Sequence, residues 1–371
     1  MKVTIVGAGV AGLALARALR GHEVEILEES PEMRVTGGSI TLWPGSAAIL
    51  ERLGVDPLDR GVRLDTLGSY AWNGRRMLEV DLSVAERRYG HPSVHLSRRE
   101  LVELLAEGQQ VTYGARVERV DPARAEVFLA DGRTVRADLL VGADGRRSAV
   151  RQALWGDDPA RVTKWVSWQS FVDFPTGHES LMFTGRAGMV GIAPASPGRV
   201  LFWHEARSAP GRPLWADDPA PLAEVRRRLA GWADPVRSVL ERVEELQFFP
   251  HYRHRIPDVW GSGPTTLAGD AAHSMPPAMA MGANAAIEDA WLLSRSLDDP
   301  RRYERERARV VRLSARIAGS ELVNVHNPAA GLAPRGLGTR VFTGLLRKVS
   351  NYLLTPDQGH PTMSHIEQLG A

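Results

Sequence analysis

The chain has 371 residues, 43% hydrophobic and 24% charged, with a formal net charge of +2 and no cysteine. Such a composition is globular rather than disordered, and the lack of cysteine excludes disulfides, thiolate metal sites, iron–sulfur clusters and cysteine nucleophiles. A charge this small, carried almost wholly by arginines spread along the chain, leaves no footprint for nucleic acid. The length suggests two or three subdomains. The strand-like start leaves no room for a signal peptide, and no apolar run reaches membrane-spanning length, so a cytoplasmic protein is expected.

In chain order the first elements form a βαβ unit. The β-branched run Lys2 to Val6 leads into Gly7-Ala8-Gly9-Val10-Ala11-Gly12. An Ala/Leu-rich helix pattern follows, and a second strand pattern, Glu23 to Leu27, ends at Glu28. That spacing predicts a dinucleotide site. Gly7 allows the tight turn, Gly9 lets a pyrophosphate approach the backbone, and Gly12 lets helix and strand pack closely. The helix-start amides at Val10 and Ala11 face the phosphate charge, and Glu28 is placed to accept hydrogen bonds from ribose hydroxyls. The signature does not separate FAD from NAD.

Residues 65–97 contain a hairpin pattern around Asn73-Gly74. In DLLVGADGRRSAVR, a buried-strand run from Leu139 to Val141 ends in a turn carrying Asp144-Gly145, with a helix start after Ser148. Residues 155–262 hold strand-type runs such as KWVSWQSFVDF and RVLFWHE between Gly/Pro punctuation, broken by one amphipathic helix, LAEVRRRLAGWA. They read as an inserted antiparallel-sheet domain. In TTLAGDAAHSMPP, a strand from Thr265 to Ala268 leads into Gly269-Asp270. Asp144 and Asp270 both stand where a strand ends, a position from which parallel sheets hold ligands, although aspartate also serves simply to make turns. His251 and His254 have no third ligand, so no metal is assigned. GLGTRVFTGLLRKVSNYLLTPDQ reads as a short amphipathic helix that packs on the body.

The glycine-rich opening, the DG turn and LAGDAAHSMPP…GANAAIEDA, in that order, resemble the FAD-dependent aromatic hydroxylases, the p-hydroxybenzoate hydroxylase-like group A flavin monooxygenases. The resemblance covers essentially the whole chain. It implies an α/β fold: a Rossmann-like FAD-binding domain of glutathione-reductase type from residues 1–64, 98–154 and 263–300. An antiparallel substrate-binding sheet from 65–97 and 155–262 and C-terminal helices over 301–371 complete it. Besides the first glycines and Glu28, it implies FAD contacts from Arg34, before the Gly37-Gly38 turn, and from Arg98, with Arg99 its near rival. The Val117 backbone is expected at the adenine, and Asp144-Gly145 at both FAD and the nicotinamide nucleotide. Gly269-Asp270 is expected on the ribityl chain, and Gly282, Ala283 and Asn284 present amides to the flavin pyrimidine ring. Pro276-Pro277 should keep the intervening backbone extended, and His273 has a structural part.

Pro276, Trp168 and Trp203 are the substrate-facing candidates, and no general base stands out. The implied reaction uses NADH or NADPH to reduce the flavin, adds dioxygen at flavin C4a, and oxygenates an electron-rich aromatic or polycyclic small molecule. An FAD dehydrogenase, oxidase or isomerase without oxygen insertion is the alternative. One departure keeps it open: Ala280-Met281-Gly282 stands where the family usually has Gly-Gln-Gly. If position 280 needs φ above zero, alanine there costs roughly 1 kcal/mol.

Overall fold

A computed structural model describes residues 1–33, 37–207, 221–320, 334 and 336–350. The apolar runs VTIV and LLVG form the centre of a five-stranded parallel sheet. A strand covered on both faces has no polar side to present, which is why neither run alternates. In spatial order the strands are Thr265–Leu267, Leu139–Gly142, Lys2–Val6, Glu23–Leu27 and Val111–Thr112. Helices Val10–Ala18 and Met281–Leu293 pack against each other beside this sheet. Leu13, Leu15, Ile26, Leu27 and Ile287 are buried there, each contributing about 1.5–3 kcal/mol. The helix Pro300–Ala318 braces the outer strand. The Tyr303 hydroxyl donates to Leu267 O at 3.0 Å, and Glu304 accepts from Thr266 Oγ1 at 2.6 Å and Trp260 N at 2.8 Å.

A seven-stranded sheet forms the second layer, in the order Gln247–Arg253, Arg161–Asp173, Arg199–Arg207, Gly188–Ser196, Glu179–Gly185, Thr66–Ala71, Arg76–Asp81. Its pairs are antiparallel except Glu179–Gly185 with Thr66–Ala71. The last two strands are the hairpin around Asn73-Gly74, where Gly74 takes φ +84. Helices Pro221–Leu229 and Val236–Glu241 cover one face, burying Val225, Leu229, Val236 and Val239 against Val172, Val190, Ile192, Val200 and Phe202. Because side chains alternate along a strand, Ser167, Gln169, Gly191, Trp203 and Glu205 point the other way, toward the parallel-sheet domain.

Strand Ser93–Ser97 pairs with Ser39–Leu42 and Val62–Leu64 rather than with the seven-stranded sheet. These three strands form a separate small sheet, and strand Gly188–Ser196 packs upon it. Helix Leu337–Val349 buries Phe342, Leu346 and Val349 and packs on Pro300–Ala318 and Arg76–Asp81. Among the described residues no helix is long and apolar enough to cross a membrane.

Candidate functional site

Three glycines shape the first turn, each against different surroundings. Gly7 has φ +106, and a methyl group added there would lie 2.4 Å from Ala143 O. At Gly12 the same methyl would lie 2.0 Å from Gly7 O, while at Gly9 it would meet nothing within 4 Å. The fold thus requires glycine at 7 and 12 but leaves free space over 9, beside the N-terminus of helix Val10–Ala18. Free space bordered by helix-start amides is a phosphate cradle. Glu28 lies across this turn, accepting the Ala8 N–H at 2.9 Å and the Ser30 N–H at 3.0 Å. Ala115 N donates to Glu28 O and Gly114 N to Ser30 O, both at 2.8 Å. These bonds draw the start of strand Val117–Asp121 to the same edge.

The other two turns meet the first. The methyl test at Gly7 places Asp144 Cα only 2.8 Å away. The Asp144 carboxylate accepts the Ala149 N–H at 2.7 Å, closing the turn on helix Ala149–Trp155. Burial pushes this carboxyl up to about 6, against the pull of the Ser148 hydroxyl and the Val150 and Ala149 amides. Gly269, at φ +59, abuts the first helix: a methyl there would lie 2.7 Å from Ala11 Cβ. Asp270, next along, is exposed.

A buried charge cluster holds the Gly269 turn from within. Asp289 accepts from Gly269 N at 2.8 Å, His273 Nε2 at 2.6 Å and Arg307 Nε at 2.7 Å. Arg307 also reaches Glu288 at 2.7 Å and Ala285 O at 3.0 Å. Burial alone would raise the Asp289 carboxyl, but His273 and Arg307 outweigh it and hold it below the usual range. His273 is therefore a strut. Asp289 and Arg307 were not singled out from the sequence, though a signal was present: an acid inside an apolar helix needs a buried partner.

The segment between Asp270 and helix Met281–Leu293 differs from expectation. Ser274 is extended, with ψ 127, but Pro277 already has helical dihedrals (φ −70, ψ −7) and opens a one-turn 3-10 helix, Ala278–Ala280. The extended stretch thus stops at the second proline instead of running through it. Met279 and Ala280 both take positive φ, +64 and +52. Met279 O accepts the Trp43 indole N–H at 3.0 Å. The Asn284 side chain is consumed within the fold, donating to Thr41 O at 2.8 Å and Ala280 O at 2.6 Å and accepting from Trp43 N at 2.9 Å. It positions the helix start, whose first amides, at Met281, Gly282 and Ala283, lack intrahelical acceptors. A methyl at Gly282 would meet nothing within 4 Å. Replacing Ala280 by glycine is expected to add about 1 kcal/mol of stability, read as a higher urea midpoint at constant slope. An unchanged or lower midpoint contradicts the strain.

Opposite these turns lies the second sheet. Gln169 Oε1 comes within 2.2 Å of where a methyl on Gly38 would stand, so that glycine accommodates the amide. Arg98 runs along Gly37, its Cδ 2.8 Å from the corresponding methyl position, whereas Arg99 turns outward to Glu103 at 2.7 Å. Of the two, Arg98 lies against the Gly37-Gly38 turn. Arg34 lies outside the described residues. The Trp203 ring covers Gly191, and Pro276 is buried. Trp168 is on the helix-covered face, with ring centroids 6.1 Å from His204 and 5.4 Å from Phe248. Strand alternation turns it away from the groove.

His95, unremarked in the sequence, lies between Thr41 Oγ1 at 2.8 Å and Ser39 Oγ at 2.5 Å. Burial pushes it down to about 3, and pushes His204 and His251 down to about 4, from an ordinary 6.5. The fold favours their neutral forms, so stability is complete above pH 6.5 and drains as pH falls from there toward 4 and 3. His95→Gln should flatten the fall of melting temperature with acid by about one proton's worth of slope. Identical slopes for both proteins would contradict this.

Three turns meet along one edge of a parallel sheet, one of them with open space over a helix-start glycine, and a second sheet stands opposite: this is the architecture of a dinucleotide-binding protein. The FAD binding domain family profile matches residues 1–314. The chain belongs to this family of FAD-dependent monooxygenases. It is 32% identical over 311 residues to the aurachin C monooxygenase/isomerase of Stigmatella aurantiaca, covering 80% of each chain. With a 3-amino-4-hydroxybenzoate 2-monooxygenase of Streptomyces platensis it shares 31% identity, covering 91% of this chain and 92% of that one. The Klebsiella pneumoniae HpxO structure with FAD and uric acid superposes with a TM-score of 0.84 at 25% identity, covering 94% and 96%. The residues present fit FAD: an open cradle at Gly9, an exposed acid at Asp270 and free amides at the start of Met281–Leu293.

Proposed function

We propose that this chain is an NAD(P)H-using monooxygenase that oxygenates an electron-rich aromatic or heteroaromatic small molecule, including polycyclic ones. The convergence of the Gly7, Asp144 and Gly269 turns beneath the polar face of the second sheet carries this reading. In it, Gly9 and the Val10 and Ala11 amides hold the pyrophosphate, Glu28 takes the adenosine ribose, and the Val117 backbone meets the adenine. Asp144-Gly145, Arg98 and Asp270 follow along the cofactor. Gly282 and Ala283 present amides to the flavin ring, where helix-start dipoles favour negative charge, and Asn284 keeps them in place. Bound FAD accepts electrons from the reductant and activates dioxygen.

The protein's own part is binding, orientation and exclusion of water. Arg147 and Arg146, the latter 4.8 Å over the Tyr252 ring, line a cleft beside Gly145 where the phosphates of NADH or NADPH fit. Trp203 and Pro276 wall the substrate space. The relatives act, by their names, on aurachin C, an aminohydroxybenzoate and urate, which supports a ring substrate. A nicotinamide reductant suits a cytoplasmic enzyme.

NAD(P)H consumption by the yellow holoprotein should rise with some phenols or heteroaromatics, and label from isotopic dioxygen should appear in the organic product. Label confined to peroxide or water contradicts the proposal. That outcome would favour an FAD oxidoreductase without oxygen insertion, the alternative that Ala280-Met281, in place of the family's usual Gly-Gln, keeps open.

A further inference from the structure

On the groove-facing side of the second sheet stands a carboxyl that the fold itself does not use. Glu205 lies in strand Arg199–Arg207, between Ser167 on one neighbouring strand and Met189 on the other. It is 5% exposed, and its Oε2 has no hydrogen-bond partner among the described residues. Gln169, two positions along from Ser167 on the same face, donates from Nε2 to Ser167 Oγ at 3.3 Å and leaves its own buried Oε1 without a partner. Leaving a buried polar atom unpaired costs about 1–3 kcal/mol. Two such atoms on one face of the sheet, the Gln169 one beside Gly38, mark a surface that a ligand completes.

The chemistry of the edge follows from its surroundings. No ion pair to Glu205 occurs among the described residues, and burial pushes its carboxyl up to about 8. At neutral pH it is therefore a carboxylic acid, offering one O–H donor beside one C=O acceptor. The matching edge is an N–H next to a C=O, as in a cyclic amide. A phenol of the same shape lacks that N–H and leaves an acceptor empty.

We propose that Glu205, supported by Gln169, is the specificity-determining edge of the substrate groove and selects nitrogen heterocycles bearing a lactam N–H/C=O pair. This deepens the proposed function and rests on its placing of substrate between the two layers. Glu205 is a binding residue, with no part in the bond-making steps.

The test titrates the yellow holoprotein with 2-quinolone and with 2-naphthol, which match in shape and differ in the N–H edge, and follows the flavin spectrum. Wild type should bind 2-quinolone at least about 10-fold more tightly, since a site built for a hydrogen bond rejects the analogue lacking it. Glu205→Gln, which keeps a donor and an acceptor side by side, should retain the preference within about 3-fold. Glu205→Leu should bring the two affinities within about 2-fold of each other while FAD content stays unchanged. Equal affinities in wild type, no binding of either compound, or a preference that survives Glu205→Leu overturns the inference. A preference lost only in Glu205→Leu, without any stimulated NAD(P)H oxidation, supports this edge while speaking against the monooxygenase reading.

Discussion

Asp289→Ala is expected to destabilise the protein by about 3–5 kcal/mol and to release its FAD. The carboxylate sits at full burial between three donors, Gly269 N, His273 Nε2 and Arg307 Nε. Its removal takes away one of the two carboxylates that Arg307 reaches among the described residues, leaving Glu288, and it frees the Gly269 amide. The first consequence is that three buried donors lose their shared acceptor. The second is local: the turn that carries Asp270 loses the bond that sets its position against Ala11. Chemical denaturation followed by circular dichroism reads the first effect, and FAD retained through desalting reads the second. Near-wild-type stability with full FAD content would show that the cluster does not govern the turn.

Two glycines of the first turn, Gly9 and Gly12, should part company just as sharply. Gly12→Ala puts a methyl 2.0 Å from a backbone oxygen with no flexible side chain to give way, so loss of stability at or beyond the ~1–3 kcal/mol range of overpacking is expected. Gly9→Asp places its side chain in open space, at a helix N-cap where aspartate is favoured over glycine. The apoprotein should therefore be as stable as wild type or slightly more so. FAD affinity should nonetheless fall by about 100- to 1,000-fold, because a carboxylate now faces the pyrophosphate at short range. Apoprotein melting and FAD titration separate the two substitutions. A Gly9→Asp protein that binds FAD like wild type would place the pyrophosphate elsewhere.

Why some of this was legible from the chain is a matter of range. Gly7, Gly9 and Gly12 report local needs of one turn, and their spacing with Glu28 anticipates the βαβ unit found at Lys2–Val6, Val10–Ala18 and Glu23–Leu27. The DG and GD turns are legible for the same reason, as is the hairpin at Asn73-Gly74. The glycine that the resembling family usually carries at position 280 anticipates the positive φ that Ala280 takes there.

What escaped depends on partners distant in sequence. Strand Ser93–Ser97 has the same alternation whichever sheet it joins, and only its pairing with Ser39–Leu42 decides. Trp168 and Trp203 sit in equally aromatic strands, but pairing register sends one to the helix-covered face and the other to the opposite face, over Gly191. Asp289 with Arg307, and Glu205 with its empty side, are intelligible only once burial is known.

A crystal structure of this protein with FAD bound tests the account most directly. The pyrophosphate should lie over Gly9, with the adenosine ribose on Glu28 and the ribityl hydroxyls on Asp270, in one continuous groove beneath Gln169 and Trp203. FAD bound elsewhere, or a wall of protein dividing Gly9 from Asp270, would contradict it.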